Sequence, residues 1–148
     1  MSTFDSTKTS LSELLNQIIV GKIQLPDFQR GWVWDDEHIR SLLVSVARSF
    51  PIGSIMLLET GGVVHFQNRA VEGVSLPTDT VPEKLILDGQ QRLTALTQVL
   101  KLPGPVKTQD QKHRDIMCFY YIDIEKALSD KTLEDAIIAV DETLTVKT

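Results

Sequence analysis

The chain has 148 residues, 42% of them hydrophobic, which is enough for one domain with its own core and too few for two ordinary domains. Its formal net charge of −5, from 15 basic and 20 acidic side chains, means that any contact with nucleic acid depends on a local basic patch and not on the overall field. The single cysteine, Cys118, excludes an internal disulfide and a multi-cysteine zinc site and favours a reducing cytoplasm, while no apolar run approaches the roughly 18 residues of a membrane helix.

Two helices are predicted in the first third of the chain. Residues 10–21 begin with the capping-box form Ser10-Leu-Ser-Glu13, carry one apolar face and end at Gly21. Asp35 or Asp36 caps the second helix, whose apolar stripe runs to Phe50 before a Pro-Ile-Gly sequence closes it. The segment between the helices carries a Gln-Arg pair and reads as extended chain followed by an aromatic-rich loop.

The rest of the chain is dominated by short aliphatic runs that predict strands. The predicted elements are strands at 54–58 and 63–67 paired as a hairpin, a long loop at 68–84, a strand at 85–87, a helix from about 89 to 100, a loop at 106–114 and a central strand at 117–122. Residues 136–140 could form a helix or a strand, and their β-branched content favours the strand. The segment 142–148 alternates polar and apolar residues as a further strand would.

The turn from the strand at 85–87 into the following helix carries the candidate site. Asp88 and Gln91 have the spacing of a capping box, with Asp in place of Ser or Thr. Capping of the helix does not require the whole polar run Gln90, Gln91 and Arg92. Carboxamides and a guanidinium beside Gly89 at a helix start suit the binding of an anion. We therefore predict an anion site here, and we expect the Gln29-Arg30 pair to form its second side.

Three blocks of the sequence resemble one known family. Residues 25–30 (LPDFQR, with Trp34), 50–54 (FPIGS) and 87–96 (LDGQQRLTAL) are similar in order and spacing to the N-terminal domain of GmrSD-type restriction endonucleases, over roughly residues 10–125. The resemblance implies an α+β, ParB/sulfiredoxin-like fold in which helices pack on a small mixed sheet. It also implies one domain over 1–148, at the front of a longer protein whose HNH-type nuclease domain lies outside this chain.

The resemblance further implies a regulatory NTPase of a modification-dependent, anti-phage restriction protein, hydrolysing GTP or ATP. The implied partners are the triphosphate with Mg²⁺, the C-terminal nuclease domain, DNA through the full-length protein and a second copy of the chain, with no membrane. His38, His65 and His113 fall in no metal-ligand spacing, so no His-Asn-His nuclease core can be assembled from these residues.

Triphosphate cleavage needs cationic donors, a helix N-terminus, Mg²⁺ and a group that orients water. On the residues that match the family, the predicted catalytic set is Asp88, Gln91 and Arg92. The predicted nucleotide-binding set is Gln29, Arg30, Gly53, Gly89, Gln90 and Arg92. Asp88 is the predicted Mg²⁺ ligand, and either glutamine of the 90–91 pair could orient water or phosphate.

Several structural alternatives stay open at the sequence level. Arg92 could pair with Asp88 or Asp36, Asp88 could be a helix cap only, and Gln29 with Arg30 could satisfy loop carbonyls only. A different function would be a ParB-like DNA-binding or nicking module that uses four arginines on one face, namely Arg30, Arg40, Arg48 and Arg69. A third alternative is a non-catalytic interaction domain that docks through residues 28–34.

Overall fold

The fold was analysed in a computed structural model that describes residues 7–29, 34–61, 67–129 and 133–143. In chain order the elements of these residues are α1 (Leu11–Ile19), β1 (Ile23–Pro26), α2 (Asp36–Ala47), β2 (Met56–Glu59), β3 (Asn68–Arg69), β4 (Lys84–Asp88), α3 (Gln90–Leu100), β5 (Val106–Gln109), β6 (Asp115–Ile122), α4 (Ile124–Ala127), α5 (Leu133–Ala136) and β7 (Ile137–Asp141). The predicted α+β class is confirmed. The closer likeness to the ParB/sulfiredoxin fold stays a prediction.

Helices α1 and α2 begin at the predicted caps. The Ser10 hydroxyl accepts a hydrogen bond from the Glu13 amide at 3.1 Å, and the Asp35 carboxylate accepts one from the His38 amide at 2.8 Å. Both helices bury their apolar stripes, with Ile18 and Ile39 fully inaccessible. Phe50 was predicted on the stripe of α2 and is instead 57% exposed. The helix ends at Ala47, so its period no longer governs where Phe50 points.

A four-stranded mixed sheet has the order β2-β4-β1-β3. Strands β1 and β4 pair in parallel, whereas β2 pairs with β4 and β3 pairs with β1 in the antiparallel sense. The predicted loop at 68–84 was partly wrong, because Asn68 and Arg69 pair with Pro26 and Leu25 as β3. Residues 62–66 of the predicted hairpin lie outside the described residues, and the partner of β2 that the structure describes is β4.

A three-stranded antiparallel sheet, β5-β6-β7, follows. The predictions of β6 as the central strand and β7 as a strand are confirmed. The predicted loop at 106–114 was wrong in its first half, because Val106 and Thr108 alternate with exposed Lys107 and face the core as strand β5. The turn is confined to 110–114, where the Asp110 carboxylate accepts hydrogen bonds from the amides of Lys112 and Arg114.

One hydrophobic core joins the two sheets. It contains Leu25 and Ile86 from the mixed sheet, Leu93 and Leu96 from α3, and residues of β5 and β7 in the second sheet. A polar contact also joins α2 to the second sheet, because the Tyr120 hydroxyl of β6 donates to the Asp36 carboxylate at 2.7 Å. Within the described ranges, none of the helices has the length and apolar character needed to span a bilayer.

Candidate functional site

The two Gln-Arg pairs of the sequence follow the carboxyl ends of adjacent parallel strands. Strand β1 ends at Pro26 and β4 ends at Asp88, and the parallel register places these two ends at the same edge of the sheet. The Gln29 carboxamide donates hydrogen bonds to the carbonyl oxygens of Ile86 and Leu87, at 3.3 and 3.2 Å. Ligands of open α/β sheets bind at such an edge, outside the carboxyl ends of the parallel strands. Gln29 thus lies beside the 85–96 turn and binds backbone carbonyls, as its structural alternative predicted, while its role in nucleotide binding stays a prediction.

Arg92 lies half-buried on the first turn of α3. Its Nη1 donates to the Ile52 carbonyl at 2.7 Å, and its Nη2 donates to the Ser54 carbonyl at 2.9 Å. Within the described ranges, Arg92 forms no ion pair with a carboxylate. The alternative pairing with Asp36 is wrong, since Asp36 binds Arg40 Nε at 2.9 Å and the Tyr120 hydroxyl. The guanidinium charge is thus held by neutral carbonyls, and its other N–H donors can serve an anion.

The cap of α3 differs from the prediction. Gly89 is the N-cap residue, with a φ of +91° that favours glycine, and it supplies no side-chain acceptor to the first turn. The predicted Asp88–Gln91 capping box is therefore wrong. Asp88 is still the last residue of β4, paired with Met56, so it stands one position too early to cap the helix. The N-cap residue therefore gives the first turn of α3 no side-chain cap of its own, at the positive end of the helix dipole, where an anion is favoured.

The exposed carboxylate of Asp88 is the candidate metal ligand. The structure describes no group of three or more His, Cys, Asp or Glu residues that could enclose a metal ion. Mg²⁺ is usually held by one or two carboxylates together with phosphate oxygens and water, and binding of Mg²⁺ by Asp88 stays a prediction. Asp88 and Gln91 are both exposed, so each can reach a ligand at the strand end.

The remaining predicted residues are placed as follows. Gly53 lies directly against the Arg92 guanidinium, and half-buried Gln90 begins α3. Arg30 lies outside the described residues. The sequence did not reveal the carbonyls of Ile52 and Ser54 as the partners of Arg92. The only signal for them was that the FPIGS block belongs to the matching pattern, because backbone acceptors leave no mark on residue type.

Comparison with known proteins tests the resemblance. Residues 11–145 match the family model described as GmrSD restriction endonuclease, N-terminal domain. The chain belongs to this family. An uncharacterized protein of Methanocaldococcus jannaschii is 31% identical over 130 residues, which cover 82% of this chain and 21% of the relative. The chain spans about a fifth of the length of that relative. No solved structure gives a significant match.

Three arginines of the alternative DNA-binding patch have carboxylate partners in this GmrSD-type domain. Arg40 pairs with Asp36 at 2.9 Å, and Arg48 pairs with Glu134 at 2.8 Å. Arg69 donates to the Gln29 carbonyl at 3.0 Å and lies 4.0 Å from a Glu72 carboxylate oxygen. Their charges are partly neutralised within the domain, which leaves less positive field for the counterion release that drives DNA binding. The geometry therefore favours the strand-end site over this patch.

Proposed function

We propose that this domain binds and hydrolyses a nucleoside triphosphate, GTP or ATP, with Mg²⁺ and thereby regulates a restriction nuclease. One observation carries the proposal. Arg92, which has no carboxylate partner in the described ranges, lies on the first turn of α3, whose N-cap is a glycine, at the edge where the parallel strands β1 and β4 end. A guanidinium and the positive end of a helix dipole at one strand edge suit the charge of a triphosphate.

Each residue of the proposed site has a separate role in binding or hydrolysis. Arg92 and Arg30 bind phosphate oxygens, and the amides that follow Gly89 form the cradle. Asp88 holds Mg²⁺, which when bound neutralises charge on the phosphate oxygens. Gln91 or Gln90 orients the attacking water. Gln29 holds the ends of β1 and β4 together through its bonds to the Ile86 and Leu87 carbonyls.

The longer protein adds the rest of the proposed role. In an anti-phage, modification-dependent restriction protein, triphosphate turnover in this domain would control an HNH-type nuclease domain that cuts DNA. Contact with DNA, contact with the nuclease domain and pairing with a second copy are proposals for that longer protein. The family description supports the restriction class, and Arg92 at the glycine-capped start of α3 supports the nucleotide.

The test measures nucleotide binding through thermal stability in the intact parent protein. GTP or ATP should raise the Tm when Mg²⁺ is present, and Arg92→Ala should weaken binding by roughly ten- to a hundred-fold, which is about 1.5 to 3 kcal/mol for a charge-assisted contact. Arg48→Ala is the matched control, because it removes the same charge from the pair with Glu134. Absence of a Tm shift with any nucleotide would exclude the proposal. Turnover that persists in Arg92→Ala would exclude the assigned role of Arg92.

A further inference from the structure

We propose that Gly53 is a positioning residue for Arg92, in that the missing side chain at position 53 leaves the space that the guanidinium occupies. Gly53 would then act on the ligand through Arg92 and not through a contact of its own. The ligand in this inference rests on the proposed function, whereas the contact between the two residues does not.

The two hydrogen bonds of Arg92 enclose Gly53. The acceptors are the carbonyls of Ile52 and Ser54, the residues on either side of it. A Cβ atom added at Gly53 would lie 2.2 Å from Arg92 Nη1 and 3.3 Å from Cζ, well inside van der Waals contact. Any side chain at position 53 would therefore displace the guanidinium from both carbonyls.

A second contact fixes the same segment, residues 52–55, against the start of α3. A Cβ atom at Gly89 would lie 2.4 Å from Ile55 Cδ1 and 3.5 Å from Arg92 Nη2. The segment thus approaches the N-cap of α3 at one glycine and the guanidinium at another. This arrangement preorganises Arg92 in one orientation, and preorganisation lowers the entropy lost when an anion binds.

The displaced group is the far end of a flexible side chain. A clash at this place is relieved when the guanidinium swings away, so the backbone need not move. Gly53→Ala should lose ligand affinity and, through backbone strain at positive φ and the two lost carbonyl bonds, also some stability. Gly61 offers a matched control, because its φ of +93° is close to the +100° of Gly53 and its added Cβ would meet no atom of the described residues within 4 Å. Alanine costs similar backbone strain at both positions.

The first experiment titrates GTP and ATP with Mg²⁺ into Gly53→Ala and Gly61→Ala proteins by calorimetry. Gly53→Ala should weaken binding by about ten-fold or more, the loss of a charge-assisted contact, while Gly61→Ala should stay within about two-fold of the natural protein. Equal affinities of the two variants would overturn the inference.

The second experiment places Arg92→Lys in both backgrounds. In the natural protein this change should weaken binding, because the compact ammonium cannot bond both carbonyls as the planar guanidinium does. In the Gly53→Ala protein it should strengthen binding, since the shorter polar head avoids the added methyl group. If Arg92→Lys reduces nucleotide affinity by the same factor in both proteins, the inference is overturned. A merely structural role of Gly53 predicts that Arg92→Lys weakens binding in both.

A nucleotide-free measurement separates this inference from the proposed function. In the natural protein, Arg92→Lys should lower the midpoint of urea unfolding. In the Gly53→Ala protein the same change should lower it less, because this protein has already lost the two bonds from Arg92 to the carbonyls. If the midpoint shifts of the two single variants add up in the double variant, Gly53 is not a positioning residue for Arg92. Non-additive midpoints in a protein that binds no triphosphate would support the contact and reject the proposed function.

Discussion

The start of α3 depends on a residue that has no side chain. Gly89 takes the N-cap position with positive φ, so the N-cap residue offers no carboxylate to the helix dipole and the first amides of α3. Asp88, the preceding residue, is left exposed. The sequence left two roles open for Asp88, and the structure removes the capping role. The Asp88 carboxylate is therefore left to contact solvent or a ligand.

Asp88→Asn should therefore separate binding from stability. Its free energy of unfolding should stay within about 0.5 kcal/mol of the natural value, because the carboxylate is exposed and caps nothing. The Mg²⁺ concentration needed for nucleotide-dependent stabilisation should rise, since an amide oxygen is a weaker ligand than a carboxylate. Thermal melts across a Mg²⁺ titration give both quantities.

The control for this prediction is Asp135→Asn, which removes an exposed carboxylate from α5. It should change neither the stability nor the Mg²⁺ requirement. A Mg²⁺ titration of Asp88→Asn that coincides with that of Asp135→Asn would remove Asp88 from the metal site.

Among the elements, α2 is joined to the second sheet and to α5 through polar contacts. Tyr120 of β6 donates to Asp36 on the first turn of α2, and the Thr108 hydroxyl of β5 donates to the Trp34 carbonyl just before it. At the other end of α2, Arg48 pairs with Glu134 of α5. Burial, and then the nearby Asp36 carboxylate, raise the pKa of Tyr120 well above its ordinary value of 10.0.

This shift predicts how stability depends on alkaline pH. Because the folded pKa of Tyr120 lies above the unfolded value, its contribution is complete below about pH 10 and is lost as the pH rises beyond it. Tyr120→Phe should cost about 1.5 to 3 kcal/mol at neutral pH, where the bond to the Asp36 carboxylate is removed, and should flatten the alkaline decline. Urea unfolding between pH 7 and 11 measures both effects.

Tyr121→Phe is the natural comparison, because Tyr121 neighbours Tyr120 on β6 and is 52% exposed. It should leave the alkaline dependence unchanged. If Tyr120→Phe kept the same decline as Tyr121→Phe, the bond between Tyr120 and Asp36 would not be what joins β6 to α2.

For the whole molecule, the shared core predicts one cooperative transition. Ile86 of the mixed sheet and Ile137 of the second sheet belong to the same cluster, and they are 0% and 6% exposed. Each change to alanine should cost about 2 to 5 kcal/mol and lower one common midpoint, because a cavity in either sheet weakens both. Circular dichroism and tryptophan fluorescence should give coincident curves.

Ile124→Ala, at a position that is 68% exposed, should shift that midpoint by less than about 0.5 kcal/mol. Two separated transitions, or a loss confined to one probe in either core variant, would show that the sheets fold independently. Such a result would also mean that the stability of the candidate site does not depend on the second sheet.

The sequence by itself determined the local features. The caps at Ser10 and Asp35, the stripes of α1 and α2, the central strand β6 and the strand-turn-helix around Gly89 follow from contacts between residues a few positions apart. Residue type and spacing decide such contacts directly. The family and the two Gln-Arg pairs could be recognised for the same reason, because they are short runs of definite residues.

Only the tertiary structure decided how these pieces form a site. The parallel pairing of β1 with β4 brings Gln29 to the Ile86 carbonyl, 57 positions away, and the fold supplies two carbonyls to Arg92 from residues about 40 positions earlier. Strand order and register depend on burial over the whole chain, and backbone acceptors have no sequence signature. The choice of Gly89 over Asp88 as the cap has the same origin, since the length of β4 is set by its partners and fixes where α3 begins.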